Sequence, residues 1–321
     1  MADQKLVIRT ASRQKAFLKL GVSSPSGGGK TMGSLILAYG MMKEKYPDLP
    51  DKDLWGKIVI IDSENGSGEL YVNKYVKESN MTIGEYAALT LVAPFEPSKY
   101  TQAIKLAEES GFEVVIVDSL THMWAGVGGA LEKQGKIADR DGNSWTAWRK
   151  ITPEITGLID TILQTPIHVI CTMRSKTEHV QEKNSAGITV VRKIGLNPVI
   201  RDGMEYEFTI FLEISAEHTS FCSKDRTGLL DGQYFTITPE QGKEIMEWLE
   251  SGTDDKGKIL ASNTQTYKVL QDEVVQLCKQ HAKSEGFKEA IGDLKGTKEI
   301  KTITDVTVLE ELKSKLEKLG E

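Results

Sequence analysis

Short apolar runs alternate with longer amphipathic stretches along the first three quarters of the chain. The apolar runs predict five strands, at residues 17–23, 57–62, 112–118, 167–172 and 208–214. Four of these runs are nearly continuous, which suits strands that are buried on both faces of a sheet. Amphipathic stretches at residues 31–45, 97–110 and 145–164 are long enough for crossover helices. The pattern predicts an α/β protein with a central, largely parallel sheet.

The pattern changes near Leu249, where residues 250–257 supply turn formers and charges without apolar anchors. Beyond this linker, two apolar stripes recur at helical spacing. They are Tyr267, Leu270, Val274, Leu277, Cys278 and His281, followed by Leu309, Leu312, Leu316 and Leu319. We therefore expect a core of residues 1–252 and a small C-terminal helical domain of residues 253–321. The leucine stripe suits a helix that closes its own small core, or one that docks a partner.

Composition narrows the class of protein. Apolar residues make up 39% of the 321 residues and charged residues 27%, which is typical of a folded globular chain and excludes disorder. The net charge of -6 means that a nucleic-acid partner would need a local basic surface. The three cysteines are far apart, so neither a disulfide framework nor a zinc site is expected. There is no signal-peptide run and no membrane span, so we expect a cytoplasmic protein.

A glycine-rich loop follows the first strand and opens a helix. Pro25-Ser26-Gly27-Gly28-Gly29-Lys30-Thr31 resembles the Walker A pattern GxxxxGK[ST], with Ser24 in place of its first Gly. The residues expected to surround the phosphates of ATP are Ser26, Gly27, Gly28, Gly29, Lys30 and Thr31. Lys30 should reach the β and γ phosphates, and Thr31 should ligate Mg²⁺. A flexible glycine turn is the alternative, which the flanking strand and helix disfavour.

A second acidic motif strengthens this interpretation. Residues 112–118 form a buried run that ends in Asp118, the form of a Walker B strand. We expect the carboxylate of Asp118 to lie on a strand adjacent to the phosphate loop and to hold Mg²⁺ through water. Many buried strands end in Asp, but together the two motifs predict a site for ATP and Mg²⁺.

Two further segments resemble the RecA family. The strand after the P-loop helix ends in Asp62-Ser63-Glu64, and the resemblance implies that Glu64 polarises the attacking water. A helix cap is the alternative for this acidic pair. The strand at residues 167–172 leads to Arg174, at the place where RecA-like proteins carry a residue that senses the γ phosphate.

Lys224-Asp225-Arg226 resembles the Lys-x-Arg finger of RecA-like ring and filament ATPases. The resemblance implies that Lys224 and Arg226 cross a subunit interface and stabilise charge on the neighbour's γ phosphate. A solvated surface turn is the alternative for this segment.

Taken in order, these motifs resemble phage-encoded RecA-like nucleotide-binding proteins of the Sak type over residues 15–250. The segments are Pro25 to Thr31, Asp62-Ser63-Glu64 with Glu69-Leu70-Tyr71, Ser119 to Trp124, Thr172 to Lys176, and Ser223 to Arg226. The resemblance implies a head-to-tail homo-oligomer in the bacterial host cytoplasm that hydrolyses ATP and binds single-stranded DNA. It also implies strand annealing or exchange during phage recombination, with a single-strand-binding protein as partner. The alternatives are a hexameric motor or helicase loader, and a nucleotide-gated scaffold with little turnover.

Two insertions after the catalytic strands are candidates for DNA contact. Residues 122–144 contain glycines that predict a mobile loop, and residues 174–203 carry an excess of positive charge with a β-hairpin expected at 177–191. The candidate phosphate-binding residues are Lys133, Lys136, Lys176, Lys183, Arg192 and Lys193. A solvated hairpin that packs on a neighbouring subunit is the alternative. Trp145 and Trp148 are at helical spacing, which favours core positions over a platform for bases.

Overall fold

The computed structural model describes residues 7–183, 189–254, 259–284, 286–292, 294, 297–303 and 306–319. Side chains are described for the same ranges except residues 7, 177–196, 259–267, 297, 306 and 307.

The described chain contains strands at many of the apolar runs. They are β1 (Val7–Arg9), β2 (Lys19–Ser24), β3 (Ile58–Asp62), β4 (Tyr75–Val76), β5 (Met81–Thr82), β6 (Ala87–Thr90), β7 (Val114–Asp118), β8 (His168–Lys183), β9 (Thr189–Pro198), β10 (Ile210–Ile214), β11 (Ser220–Asp225), β12 (Tyr234–Phe235) and β13 (Ile259–Ser262). All five expected strands are present, and their ends differ by a few residues except at β8, which continues well past residue 172.

Helices fill the intervals between the strands. They are α1 (Lys30–Lys45), α2 (Asp51–Trp55), α3 (Pro97–Glu109), α4 (Leu120–Ala125), α5 (Ala130–Asp141), α6 (Ser144–Gln164), α7 (Pro239–Glu250), α8 (Asn263–His281), α9 (Phe287–Ile291), α10 (Thr297–Ile300) and α11 (Val306–Glu317). Short 3₁₀ turns lie at Ser67–Tyr71 and Met204–Tyr206. The three expected crossover helices correspond to α1, α3 and α6.

The central sheet is mostly parallel, as the alternation of strands and helices predicted. Its strand order is β12-β11-β10-β2-β8-β7-β3-β6, and β9 extends it by pairing with β8. Strands β10, β2, β8, β7, β3 and β6 run parallel, whereas β11 and β12 are antiparallel additions at one edge. One hydrophobic core packs on each face of this sheet, and every residue of β2, β3 and β7 is buried.

The Asp118 strand β7 lies one strand away from the phosphate-loop strand, although its carboxyl end is next to the loop, where Asp118 accepts a hydrogen bond from Thr31. Strand β8 lies between the phosphate-loop strand β2 and the Asp118 strand β7, so these two strands are not neighbours. The register pairs Val22 with Thr172 and Asp62 with Asp118, which brings the carboxyl ends of β2, β8, β7 and β3 level. Polar residues at these four strand ends therefore lie close together at the carboxyl-terminal side of the parallel strands.

The two insertions differ from each other. Residues 122–144 were expected to be a mobile loop, but α4 and α5 occupy most of this segment. Gly126 follows α4 and Gly129 precedes α5, whereas Gly135 lies within α5, so the glycines of this segment do not prevent helix formation. The hairpin expected at 177–191 is confirmed, because β8 and β9 pair antiparallel from Ser175 with Pro198 to Lys183 with Thr189. The expected turn at residues 184–187 lies outside the described residues.

The contacts divide the chain into two units, one of residues 15–252 and one that combines residues 1–14 with 253–321. Residues 1–14 were expected in the core, whereas β1 pairs with β13 in the second unit. The two apolar stripes of this unit pack together, with Val274, Cys278, Leu309 and Leu316 buried in one cluster. This unit is thus helical, as expected, with an added two-stranded ribbon.

Candidate active site

The glycine-rich loop adopts a backbone that requires glycine. Gly27 and Gly29 have positive φ angles of 82° and 92°, a region that side chains disfavour. A Cβ atom on Gly28 would lie 2.9 Å from the Cβ of Ser24, which is fully buried beneath the loop. Ser24 therefore fits in place of the first Walker A glycine because it packs under the loop and does not enter it.

Helix α1 begins directly after this loop, so its first-turn N–H groups point toward the loop and lack intrahelical acceptors. Such groups bind phosphate oxygens, and the helix dipole adds positive potential. Lys30 is buried at the helix start, whereas Ser26 is exposed at the loop tip. The N–H of Gly28 donates to Pro25 O at 3.1 Å, so this N–H is already engaged. Loop and helix start fit a polyphosphate chain.

Thr31 and Asp118 form the candidate metal site. The hydroxyl of Thr31 donates to Asp118 Oδ2 at 2.6 Å, although the two residues come from separate elements. The hydroxyl of Thr172, on the intervening strand β8, donates to Asp118 Oδ1. Asp118 is completely buried, and this burial raises the pKa of its carboxyl above the ordinary value. A hydroxyl beside a buried carboxylate is a donor set that suits Mg²⁺, whose charge would offset the cost of burial.

Glu64 lies at the end of β3 on a loop that Asp62 organises. The two carboxylate oxygens of Asp62 accept the backbone N–H groups of Glu64 and Gly68. The 3₁₀ turn at Ser67–Tyr71 has Gly66 at its N-cap and no side-chain cap, so neither acidic residue occupies the helix-cap position of the alternative interpretation. The Asp62 carboxylate is bonded to the loop backbone. The carboxylate of Glu64 instead faces residues at the ends of the neighbouring strands β7 and β8.

Two cations hold the Glu64 carboxylate. Its Oε1 atom lies 3.1 Å from Arg174 Nε and 3.7 Å from Lys30 Nζ, and it accepts a hydrogen bond from the Ser119 hydroxyl at 3.1 Å. Burial alone would raise the pKa of Glu64, but the hydrogen bond from Arg174 and the charges of Lys30 and Arg174 outweigh burial and lower the pKa. The structure thus brings together Lys30, Glu64 and Arg174, three predicted site residues from three different elements.

Several polar residues that support this site were missed by the sequence analysis. The Ser63 hydroxyl accepts the backbone N–H of Ser119 at 2.9 Å and lies 3.0 Å from His122 Nδ1. The backbone N–H of Arg174 donates to the Thr121 hydroxyl at 2.9 Å. These residues lie in the motif segments that carry the family resemblance. That resemblance could have pointed to them, but their contacts depend on the strand order.

His218 approaches the loop from the other side. Its Nδ1 atom lies 3.2 Å from the carbonyl oxygen of Gly28, and its φ of 64° is positive. His218 lies in the turn between β10 and β11, 190 residues from Gly28 in sequence. A lone histidine in a turn gave no signal of this contact.

Lys224 and Arg226 lie on the amino-terminal side of the parallel strands, away from the phosphate loop. In the register, Phe211 pairs with both Lys224 of β11 and Gly21 of β2, close to the start of each parallel strand. The Lys224 ammonium donates to the carbonyls of Tyr206 and Phe208, and Arg226 Nη2 donates to Tyr206 O at 3.0 Å. The structure does not bring these two cations to the phosphate loop of their own chain.

The candidate DNA-binding residues divide into three groups. Lys133 lies 2.8 Å from Glu154 and 3.6 Å from Glu96, and Lys136 forms an ion pair with Glu132, so both charges are engaged on the surface of the fold. Lys176 is exposed near the start of the hairpin. The side chains of Lys183, Arg192 and Lys193 lie outside the described part of the structure.

The two tryptophans of α6 do not share the core environment that their spacing predicted. Trp148 is half-buried and stacks on Trp124, with ring centroids 5.7 Å apart. Trp145 is 84% exposed, because it lies in the first turn of the helix beyond the packed face. The expectation of two core tryptophans is therefore wrong for Trp145.

Comparison with known families agrees with this geometry. The family described as an AAA domain matches residues 16–243, which cover the glycine-rich loop and the Glu64–Arg174 site. The chain belongs to this AAA-domain family. The match over residues 16–243 shows an AAA-type P-loop ATPase domain, and the loop with Lys30, Thr31 and Asp118 is its candidate nucleotide-binding site. No curated protein matches the chain. No helix within the described ranges has both the length and the apolar character needed to cross a membrane.

Proposed function

We propose that this AAA domain hydrolyses ATP with Mg²⁺ and acts on single-stranded DNA as a RecA-like protein of the Sak type in phage recombination. The observation that carries the hydrolytic part is the position of Glu64. Its carboxylate has a lowered pKa, lies 3.7 Å from Lys30 Nζ and is on the same carboxyl-terminal side of the parallel strands as the Thr31–Asp118 pair. An ionised carboxylate at this position can accept a proton from water beside the γ phosphate.

The proposed reaction requires one change of partner, at Arg174. Lys30 and the first-turn N–H groups of α1 bind the phosphates, and Thr31 with Asp118 holds Mg²⁺, which neutralises phosphate charge when bound. The water oxygen bonds to the γ phosphorus as the bond to the β–γ bridging oxygen breaks, and the water proton passes to Glu64. Arg174, whose side chain is 43% exposed, can exchange Glu64 for the γ phosphate. That exchange would free Glu64 when nucleotide is present.

Lys224 and Arg226 complete the site only if they act on a neighbour. They lie on the amino-terminal side of the parallel strands, opposite the phosphate loop, and they donate hydrogen bonds to carbonyls of their own chain. Cations on that side can reach a γ phosphate when a second copy stacks head to tail, which supports a ring or filament with a trans-acting finger.

Mixing two inactive variants tests the trans arrangement. Lys30→Ala removes phosphate binding but leaves the finger, and Arg226→Ala removes the finger but leaves the phosphate loop. Each variant alone should hydrolyse ATP slowly, and mixtures should regain part of the turnover because intact loops meet intact fingers. Absence of recovery in mixtures that demonstrably co-assemble would contradict a finger in trans.

Hairpin charge supports contact with single-stranded DNA. Lys176 is exposed, and the register places Arg192 opposite Val180 and Lys193 opposite His179 on the same two-stranded ribbon. Replacing Arg192 and Lys193 with Ala should weaken binding equally for all sequences and lower the salt dependence, because counterion release supplies the affinity. The matched control is Lys136→Ala, since Lys136 is engaged by Glu132. Loss of binding in the control alone would place DNA on α5.

A Lys-x-Arg finger that acts across a subunit interface is compatible with a hexameric motor as well as with a recombination protein. Annealing of complementary strands without unwinding of a forked duplex would support recombination, and unwinding would support the motor. A third assay measures ATP turnover with and without single-stranded DNA. Turnover near zero in both cases would support a nucleotide-gated scaffold in which Arg174 keeps Glu64 paired.

The C-terminal unit is proposed to contact a single-strand-binding protein. Lys315 is exposed on α11 and suits an acidic tail, whereas Lys313 already pairs with Glu273 at 2.9 Å. Lys315→Glu in the full chain should weaken capture of a single-strand-binding protein, and Lys298→Glu on α10 is the control. Equal capture by both variants would contradict this role.

A further inference from the structure

A cavity of about 570 Å³ lies beside the base of the β8–β9 hairpin. Its aromatic wall is Trp124 of α4 and Trp148 of α6, whose rings stack with an interplanar angle of 19°. Lys176, midway along β8, and Pro198, at the end of β9, also line the cavity. This volume is in the range of small-molecule sites and exceeds what a single side chain fills.

The rim of the cavity is charged and open to solvent. Lys176, Arg201 and Asp202 all line it, and all three are exposed. Among the described side chains, no carboxylate pairs with Lys176 or Arg201. The cations outnumber the single carboxylate, so the rim favours a ligand with negative charge beside an aromatic or apolar part.

A nucleotide of single-stranded DNA has this combination of properties. Its base offers a π face that can stack on an indole, and its phosphate can meet lysine and arginine at the rim. A duplex base cannot enter such a cavity without leaving its stack, whereas a single-stranded base is already free to turn. An aromatic side chain of a protein partner lacks the phosphate that the rim cations would engage.

The cavity adjoins both regions that the proposed function uses. Lys176 and its register partner Asn197 line it at the base of the hairpin, so a strand that follows the hairpin would pass its opening. Trp124 lies on α4, the helix whose Thr121 accepts the backbone N–H of Arg174. A base in this cavity would therefore lie one helix away from the residue that holds Glu64.

We propose that the Trp124–Trp148 cavity receives one base of single-stranded DNA, stacked on an indole, with Lys176 and Arg201 on the adjacent phosphates. This inference rests on the proposed action on single-stranded DNA. It assigns a stacking contribution that the cationic hairpin alone would lack.

The test compares an aromatic and an aliphatic replacement of the Trp148 side chain. Trp148→Phe retains an aromatic face, whereas Trp148→Leu retains apolar volume without one. In full-length protein, Leu should weaken binding of a fluorescent oligothymidylate about five- to a hundredfold, the range for loss of one stacked base. Phe should restore most of the affinity. Trp145→Leu, an exposed tryptophan of the same helix outside the cavity, should bind as the wild type does. Thermal unfolding midpoints verify that all three variants are folded.

Salt dependence separates stacking from charge. Trp148→Leu should lower affinity without changing the slope of log affinity against log salt, whereas Lys176→Ala should reduce that slope by about one phosphate contact. An abasic oligonucleotide of the same length should bind the wild type and Trp148→Leu equally, because it offers no base to stack.

Equal affinity of Trp148→Leu, Trp148→Phe and the wild type for oligothymidylate would overturn the inference and leave the DNA-binding proposal intact. If the wild type binds no single-stranded DNA at all, the proposed function fails and the inference fails with it. If Trp145→Leu alone loses affinity, the base stacks on the exposed helix tip and the cavity assignment is wrong.

Discussion

At the scale of single residues, Glu64 is kept ionised by neighbours from three elements. Lys30 comes from α1, Arg174 from β8 and the hydroxyl of Ser119 from the segment after β7. A carboxylate with this environment is a base whose charge state is fixed at neutral pH, and its strength as a base depends on how firmly Arg174 holds it.

Replacing Glu64 with Gln should leave ATP binding intact and slow hydrolysis by about 10²- to 10⁴-fold, because the amide cannot accept the proton of the attacking water. Glu69→Gln is the control, since Glu69 is exposed on the same loop. Turnover and fluorescent-nucleotide binding measured in parallel separate the two effects. A loss of binding with normal turnover per bound nucleotide would mean that Glu64 has a structural role.

Arg174 should set the acid limb of the pH–rate profile. Burial raises the pKa of Glu64, but Arg174 and Lys30 lower it below the ordinary value, and the carboxyl groups of Asp62 and Asp118 lie nearby. Turnover should fall as pH decreases through this lowered pKa, because the protonated carboxyl is no longer a base. Arg174→Ala removes one lowering influence, so the acid limb should move to higher pH. A limb that does not move would show that another group controls it.

Asp118 carries a buried charge whose cost Mg²⁺ would offset. Burial raises the pKa of this carboxyl, so the ionised form is less favourable in the folded than in the unfolded chain, and above the raised pKa the charge lowers the free energy of unfolding. Asp118→Asn should therefore unfold at an equal or higher temperature without metal, yet lose the added stability that Mg²⁺ and ATP give the wild type. Thermal unfolding with and without ligand measures both. Strong destabilisation without metal would contradict this account.

At the scale of elements, α1 is fixed from two sides. Its start faces the phosphate loop, and its middle crosses α7 where both helices carry glycine. A Cβ on Gly40 would lie 2.1 Å from Pro239 O, and one on Gly242 would lie 2.3 Å from Leu37 O. The two backbones therefore touch, and neither residue can be enlarged without moving a helix.

Gly40→Ala should lower the free energy of unfolding by at least about 1–3 kcal/mol, because the added methyl group meets backbone atoms. Gly157→Ala is the matched control on α6, where no atom lies within 4 Å of the added Cβ. That control should raise the free energy of unfolding by about 0.5–1 kcal/mol through helix propensity. Denaturant unfolding measures both, and equal effects would mean that the crossing tolerates movement.

The positions of strands and helices that a local sequence pattern defines were predicted well. The extent of elements that depends on contacts with other parts of the fold was not. Apolar runs located β2, β3 and β7 because a strand buried on both faces carries apolar residues on both sides along most of its length. The helices α4 and α5 were missed because the glycines of this segment suggested a loop, although Gly126 and Gly129 lie at helix ends and Gly135 is accommodated within α5. The length of β8 was missed because from Ser175 to Lys183 it pairs with β9 outside the parallel part of the sheet.

At the scale of the whole molecule, the two ends of the chain belong to one unit. Thr253 N donates to Arg13 O at 2.8 Å, and β1 pairs with β13. A cut after residue 252 alone would leave β1 without its partner strand.

A protein of residues 15–252 should therefore fold as the nucleotide-binding unit, with one cooperative unfolding transition and retained ATP affinity. A protein of residues 1–252 should show the same midpoint, because the additional residues have lost the strand with which they pair. Calorimetry compares the two. A fragment 15–252 that aggregates or lacks a cooperative transition would show that the second unit is needed for folding.

The sequence by itself determined the phosphate loop, the acidic strand ends and the α/β class, because each depends on a local conformation or a local run of apolar residues. The tertiary structure decided what these residues contact. The insertion of β8 between β2 and β7 places Thr172 on Asp118 and Arg174 on Glu64. The antiparallel β11 carries Lys224 and Arg226 to the amino-terminal side of the parallel strands, and the packing of α4 on α6 forms the tryptophan cavity. Strand order, register and helix packing are set by contacts between residues far apart in sequence, which no local pattern encodes.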